Sequence, residues 1–329
     1  MTATAQTNTT LQDIAQVIAS HDAFVLCGHI SPDGDCLGSQ LCLAHALKAM
    51  GKSVTVTLPF DEPVDPSLSF LPGSNWFVPA EQVVDPFDVF IGVDVPSRDR
   101  LGTHAAALLD DAACSITIDH HAMDTTMCQY VYVDPDVAST TMLIWEIVKQ
   151  LTERPPVESA LCAYTGLVSD TGCFQYQNAN RAAFDAAGDL VSAGADPALV
   201  ARETMQNRSL PSLQLEARLI ERMEFFADGQ CVLSWVTLKD MAECGAQKSD
   251  TEVLINIARQ IRGVRVACVL REQENLVKGS LRAKDDTDVA AIARSFNGGG
   301  HKAAAGFSLK ESLDDACESM RTILSSLFA

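Results

Sequence analysis

Along the first two-thirds of the chain, short apolar runs alternate with longer amphipathic stretches, the pattern of parallel strands joined by helices. Residues 23–28 (AFVLCG) read as a strand, followed by further strands at 54–58, 87–93 and 115–118. Helices are predicted over 37–50, where Gly51 ends the pattern, and over 140–151, 157–168 and 182–193. Residues 193–197 (AGADP) form a break, and 197–226 read as helical throughout. After Asp228-Gly229 the texture changes. Residues 231–237, 264–271 and 276–282 read as strands, the last two joined through a polar turn at 272–275 as a hairpin. A helix at 289–296, a glycine run at 298–300 and a closing amphipathic helix complete the chain. The expected fold class is α/β. A parallel-sheet domain spans residues 1–195, a helical connector 196–228, and a smaller mixed α/β domain 229–329.

Composition narrows the picture. With 329 residues and 47% hydrophobic content, the chain can bury sizeable cores in two domains. Its polar start, MTATAQTNTT, predicts no signal peptide. No apolar run reaches the roughly 18 to 20 residues that span a bilayer, so a soluble, cytoplasmic protein is expected, without a membrane partner. The eleven cysteines are scattered singly, with no C-x-x-C pair, which argues against a zinc finger and against a disulfide framework. They read as small buried hydrophobes in a reducing cytosol, with Cys36, inside a candidate site loop, the one to watch for oxidation. A net charge of −19 argues against tracking long nucleic acid, whose phosphates reward basic surfaces.

Four clusters can carry chemistry, and all fall at strand ends or in loops of the first domain. They are Gly28-His29-Ile30-Ser31-Pro32-Asp33-Gly34-Asp35, then Asp94, then Asp119-His120-His121, then Ser169-Asp170-Thr171-Gly172. Taken singly, each has a structural explanation: a D-x-D in a glycine-rich turn stabilises the turn, and an Asp after a strand caps a helix. Adjacent histidines beside Asp119 at the end of an apolar strand are harder to explain, because burying them is costly without a metal or an acidic partner. Carboxylate and imidazole donors without cysteine suit a hard to borderline ion such as Mn²⁺, and there are more donors than one ion needs.

The series H-x-x-x-D-x-D, a strand-end Asp, D-H-H and S-D-x-G resembles the DHH phosphoesterase superfamily. Residues 298–307 (GGGHKAAAGF) resemble the G-G-G-H-x-x-A-A-G-F signature of its associated C-terminal domain. The resemblance covers essentially the whole chain and is nearest to the nanoRNase branch, which has oligoribonuclease and 3′-phosphoadenosine 5′-phosphate phosphatase activity. It implies an active site in the cleft between the domains and two divalent metal ions, Mn²⁺ foremost. By it, His29, Asp33 and Asp94 would hold one ion. Asp35, Asp94, His120 and Asp170 would hold the other, with Asp94 bridging. Asp119 would orient a ligand histidine, and His121 would face the substrate phosphate. In the second domain Ser280 and Arg282 match an S-x-R element whose arginine binds a terminal phosphate, and Gly298, Gly299, Gly300 and His301 complete the expected substrate grip. Arginine suits that task because its planar fork pairs with phosphate through two hydrogen bonds.

Between Arg259 and Lys302 nine basic residues stand against five acids, a local excess in an acidic chain. Ala283 and Asn297 depart from the family pattern and bear on substrate grip rather than on the metals. Arg100, in Asp94-x5-Arg100-Leu101-Gly102, also resembles the family and reads as structural. The implied partners are short RNA oligonucleotides or small nucleotides, with monomer and homodimer both open. The alternatives are a cyclic- or linear-dinucleotide phosphodiesterase and, in another class, a nucleotide sensor without catalysis. A long-chain exonuclease is disfavoured by the acid balance, and a manganese pyrophosphatase by the glycine-rich C-terminal signature.

Overall fold

The computed structural model describes residues 7–122 and 126–328, with His301 described by its backbone only. Residues 1–6 and 329, the outer ends of the expected domains, lie outside the described residues. Contacts divide the chain into two compact units, one ending at Asn207 and the other beginning at Arg208.

The first unit is built on six strands: β1 (Ala23–Cys27), β2 (Ser53–Leu58), β3 (Val78–Pro79), β4 (Val89–Val93), β5 (Cys114–Asp119) and β6 (Tyr130–Val133). All pair in parallel, in the order β3-β2-β1-β4-β5-β6. Helices α1 (Leu11–Ala19), α2 (Gly34–Ala49), α3 (Gly102–Asp111), α4 (Thr140–Leu151), α5 (Val157–Asp170), α6 (Arg181–Ser192) and α7 (Pro197–Ala201) accompany them. The central strands β4 and β5 are buried along their whole length, as a parallel sheet covered on both faces requires. One core layer joins α1, α2, α4, α5 and α6 to the sheet, and the other joins Leu101, Ala105 and Leu109 around α3 to Val25 and Phe90. The strand order reverses between β1 and β4. That junction opens a crevice at the carboxyl ends of both strands, where ligands of open α/β sheets bind.

The predicted strands and helices of this unit are present, with instructive shifts. Helix α2 begins at Gly34, not at 37, because Asp33 caps it: Asp33 Oδ1 accepts from the N–H groups of Asp35 and Cys36, both at 3.1 Å. The D-x-D segment read as a loop is therefore a cap and a first helical turn. Nearly every residue of α2 is buried, so this turn is carried into the interior. Strands β3 and β6 and helices α1 and α3 were not expected, and the edge strand β3 has only two residues.

The stretch 197–226 is not helical throughout. Helix α7 passes into a π-helical turn over Arg202–Gln206, Asn207 leaves the helical region (φ −105°, ψ 51°), and Ser209 caps a new helix, α8 (Leu210–Glu221). Strand β7 (Glu224–Phe226) then pairs with β8 (Cys231–Val236) across a turn in which Ala227, Asp228 and Gly229 all have positive φ. The Asp-Gly pair that marked a change of texture is thus a hairpin turn.

The second unit continues with α9 (Leu238–Cys244), α10 (Leu254–Gln260), β9 (Val266–Glu272), β10 (Val277–Ala283), α11 (Val289–Arg294), β11 (Gly299–His301), β12 (Ala304–Leu309) and α12 (Leu313–Ser326). Its sheet runs β11-β12-β10-β9-β8-β7, antiparallel except for the parallel pair β8–β9. The β9–β10 hairpin stands where it was predicted. The sheet carries α11 and α12 against one face and α8 and α10 against the other.

Candidate metal centre

Asp94 is the hub of the first unit's crevice. It follows β4 directly and holds a left-handed conformation (φ 55°), which a non-glycine residue keeps only when its surroundings tie it down. Its N–H donates to Ile118 O at 3.0 Å, and its Oδ1 accepts from the Thr140 hydroxyl at 2.9 Å. His29 Nε2, from the loop after β1, lies 3.3 Å from Asp94 Oδ2. His120 Nε2 and His121 Nδ1, from the loop after β5, lie 3.7 and 3.4 Å from Oδ1.

Asp35 and Asp170 arrive on helices. Asp35 is fully buried, and its carboxylate accepts from the N–H groups of Thr140 (2.6 Å) and Thr141 (2.9 Å). Ser139, at the N-cap position of α4, makes no side-chain capping bond. Asp35, 105 positions away in sequence, supplies the acceptor that the open N–H groups of this helix end need. Helices α2 and α5 approach closely enough for this because of their glycines. A Cβ on Gly166 would lie 2.4 Å from Thr141 Cγ2 and 2.8 Å from Asp35 Oδ1. Asp170 ends α5 with its Oδ2 3.1 Å from His120 Nε2, while Asp35 Oδ2 lies 3.9 Å from that same nitrogen.

The imidazoles are oriented from behind. His29 Nδ1 lies 2.9 Å from Ile30 O and His120 Nδ1 lies 3.4 Å from Val137 O. Each of these nitrogens faces a carbonyl, with Arg100 Nη2 also 3.4 Å from the His29 Nδ1, and both rings turn Nε2 inward. Arg100, read as structural, reaches Ile30 O at 3.2 Å and so sits behind the His29 ring. Asp119 is fully buried and accepts from both the backbone N–H (3.0 Å) and the ring Nδ1 (2.8 Å) of His121. The histidine it orients is therefore His121 rather than His120. Asp33 stands at the rim, about half exposed, with Oδ1 3.9 Å from His29 Nε2.

Burial pushes the Asp35 carboxyl well up from its ordinary range, and the charges of Asp94 and Asp170 add to this. It likewise raises Asp170 to about 6, against the hydrogen bond from His120. Burial also acts on Asp94, but the hydrogen bond and charge of His29 outweigh it and hold this carboxyl low. Burial alone would lower the His29 imidazole, yet Asp94 and Asp33 lift it to about 9; burial acts on His120 in the same way, and Asp170 raises that ring well above its ordinary range. Among the described residues no lysine or arginine ion-pairs with Asp35, Asp94 or Asp170. Two buried carboxylates and a partly buried third confronting two inward-facing imidazoles form a donor set that fits divalent cations. Cys36 Sγ also lies near His29 and Asp94, but burial, then the charges of Asp94 and Asp33, push its thiol far up, so it stays protonated and a poor ligand.

In the second unit Lys278, Ser280 and Arg282 occupy alternate, half-buried positions on one face of β10. Ser280 Oγ accepts from Arg271 Nη2 at 3.0 Å, and Arg282 Nη1 donates to Leu281 O at 3.0 Å. Within the glycine run, Gly299 and Gly300 belong to strand β11, paired with β12. Gly300 has φ +135°, and a Cβ on it would lie 2.5 Å from Ala304 O, whereas Gly299 faces open space. The His301 side chain lies outside the described residues. Several of the basic residues counted here are internally matched: Arg265 with Asp285, Arg294 with Asp288, Lys302 with Asp286 and Arg271 with Glu252.

The sequence reading missed Thr140, Thr141 and the capping role of Asp35. The signal available was S-T-T opening a helix after a D-P-D turn, which marks a helix start but does not say what anion meets it.

Two family models match the chain: "DHH family, N-terminal domain" over residues 23–167 and "DHHA1 domain" over residues 230–326. A protein of Thermus thermophilus named bifunctional oligoribonuclease and PAP phosphatase NrnA is 27% identical over 310 residues, covering 93% of this chain and 90% of its own. The cyclic-di-AMP phosphodiesterase PdeA of Listeria monocytogenes is 26% identical over 91% of this chain but only 47% of its own length. Among solved structures, an exopolyphosphatase-related protein from Bacteroides fragilis superposes with a TM-score of 0.88 at 27% identity, over 95% of both chains. With both models in their places and these relatives aligned along its length, the chain belongs to the DHH family, a DHH N-terminal domain followed by a DHHA1 domain.

Proposed function

We propose that this protein is a manganese-dependent phosphodiesterase and phosphatase that hydrolyses short oligoribonucleotides and 3′-phosphoadenosine 5′-phosphate. Its family makes it a phosphoesterase, a hydrolase acting on ester bonds. The reading rests on one observation above all: Asp35, Asp94 and Asp170 are gathered around His120, with no lysine or arginine ion pair among the described residues. The similarity to the Thermus NrnA over nearly the whole of both chains supports the substrate class.

In this reading His29, Asp33 and Asp94 hold one ion and Asp35, Asp94, His120 and Asp170 the other. When bound, the two ions supply a hydroxide near neutral pH and neutralise charge on the phosphate. The chain's own residues do the rest. Ile30 O and Val137 O orient the His29 and His120 rings so that their Nε2 atoms face the carboxylates. The Thr140 and Thr141 amides hold Asp35 in place, and the Thr140 hydroxyl holds Asp94. Asp119 anchors His121 through Nδ1, and burial is outweighed by that bond so that the His121 imidazole is lifted above its ordinary range. A protonated His121 offers its other nitrogen to the leaving oxygen, a general-acid role. In the second unit Ser280, Arg282, the Gly298–Gly300 backbone and His301 grip a second phosphate, and the eleven free cysteines support a reducing, cytoplasmic setting. Among the described residues no helix is long and apolar enough to cross a membrane.

A dinucleotide phosphodiesterase is the second reading, supported by the likeness to the Listeria PdeA. Chelated enzyme supplied with Mn²⁺ or Mg²⁺, and given end-labelled RNAs of two to twenty nucleotides beside 3′-phosphoadenosine 5′-phosphate and linear and cyclic dinucleotides, separates the two. Dimers to pentamers should be cut faster than 20-mers, with Mn²⁺ the better activator. Turnover confined to cyclic dinucleotides would overturn the first reading in favour of the second.

A further inference from the structure

We infer that Asn178 is a positioning residue that locks the Asp170 end of the metal centre to the helix start that holds Asp35 and Asp94. The inference rests on the two-ion reading and adds to it a residue eight positions beyond the last proposed ligand.

The Asn178 side-chain amide donates to two main-chain carbonyls: Asp170 O at 3.0 Å and Ala138 O at 3.2 Å. Asp170 ends α5. Ala138 stands two residues before Thr140, whose N–H and hydroxyl hold Asp35 and Asp94. One amide therefore ties together the two segments that set the geometry around His120. Both partners are acceptors, so the orientation of the amide is dictated, and Asn178 Oδ1 is left buried without a partner among the described residues. A side chain that leaves its own acceptor unsatisfied to make two donations is held there by those donations.

The backbone leading to it is unusual. Gly172, Cys173 and Phe174 have φ of 54°, 56° and 60°, three successive residues in the left-handed region, two of them not glycine. Such a run persists only where surrounding bonds over-determine it, and strained segments of this kind cluster at functional sites. Here it folds the chain back behind Asp170. Thr171 secures the turn by donating to Leu167 O (2.6 Å) and accepting from the Phe174 N–H (3.1 Å). The returning chain delivers Asn178 to the Asp170 carbonyl. Its amide thereby adds a side-chain link between the end of α5 and the segment that opens α4.

The test is a Mn²⁺ titration of metal-free protein by calorimetry, with the melting temperature of the metal-free form as a second readout. Wild type should show two binding events, and Asp170→Ala identifies which belongs to the Asp35, His120 and Asp170 ion by abolishing it. Asn178→Asp, which keeps the shape and loses both donations, should weaken that event about 10- to 100-fold, the range for an outer-shell partner, and leave the other within about twofold. The melting temperature of the metal-free form should stay close to wild type. Asn178→Ala should act in the same direction and serves if the aspartate variant does not fold. Unchanged affinities, or equal weakening of both events together with a fall in melting temperature, would overturn the inference. A wild type that binds fewer than two ions would instead overturn the two-ion reading beneath it.

Discussion

The two units bury acidic groups in opposite ways. In the second, Asp240 is almost fully buried yet met by two arginines: Arg222 makes paired hydrogen bonds to its carboxylate, and Arg218 donates to Oδ1 at 2.9 Å. Arg321 grips Glu224 with bonds of 2.8 and 2.9 Å, and Arg265 pairs with Asp285. In the first, the buried Asp35 and Asp94 and the partly buried Asp170 crowd around histidines and the Thr140 and Thr141 donors, with no lysine or arginine ion pair among the described residues. A buried carboxylate with an arginine is a finished structural element, whereas buried carboxylates crowded together call for a cation from outside. The contrast separates a unit that keeps its shape by its own ion pairs from one whose centre is completed by what it binds.

The comparison breaks most sharply at Asp94. Asp94→Ala removes a side chain that touches His29, His120 and His121 at once, so it should cost more than about 100-fold in turnover and deplete both ions. Elemental analysis and steady-state kinetics check this, and near-normal turnover with full metal content would remove Asp94 from the bridge. Asp119→Ala, which removes a side chain hydrogen-bonded to His121 among the described residues, should cost less, about 10- to 100-fold. Arg282→Ala, in the unit without the carboxylate crowd, should raise KM for short oligonucleotides by about 1.5 to 3 kcal/mol, the scale of a charge-assisted hydrogen bond. Metal content should not change, and an artificial diester lacking a second phosphate should be cut as before. Equal impairment on that diester would mean that the second unit does not anchor substrate.

The smallest effect is one of stability. The Asp240 carboxyl is held far below its ordinary range, first by the hydrogen bond from Arg222 and, against burial, by Thr237 and Arg218. A depressed folded value means that its contribution is fully present above the unfolded value of about 3.9 and is lost as pH falls through the folded one. Asp240→Asn should therefore destabilise by about 1 to 3 kcal/mol at pH 7. In urea titrations the gap from wild type should narrow steadily below about pH 4. A gap that stayed constant down to pH 2 would show that charge at Asp240 contributes nothing.

Much of this protein is legible one residue at a time. Alternating apolar runs announced β1, β4, β5 and the hairpin of β9 and β10, because a strand buried on both faces must be apolar throughout and one buried on a single face must alternate. Asp94 and the Asp119-His120-His121 cluster stood out because chemically costly residues directly follow apolar strands, and the resemblance named His29, Asp35 and Asp170 with them. What sequence could not show is which backbone meets which side chain. That Asp35 caps a helix beginning at Thr140, that Asp119 serves His121 rather than His120, and that Asn178 reaches back to Asp170 are matters of tertiary distance. The glycine run near the C-terminus teaches the same: its letters did not announce a strand, and Gly300 is there because β12 passes too close for a Cβ. Local pattern determines which elements form, since burial and periodicity act within a segment. The site is decided when the order of the sheet and the glycine contacts of α2 with α5 bring residues more than a hundred positions apart within 3 Å.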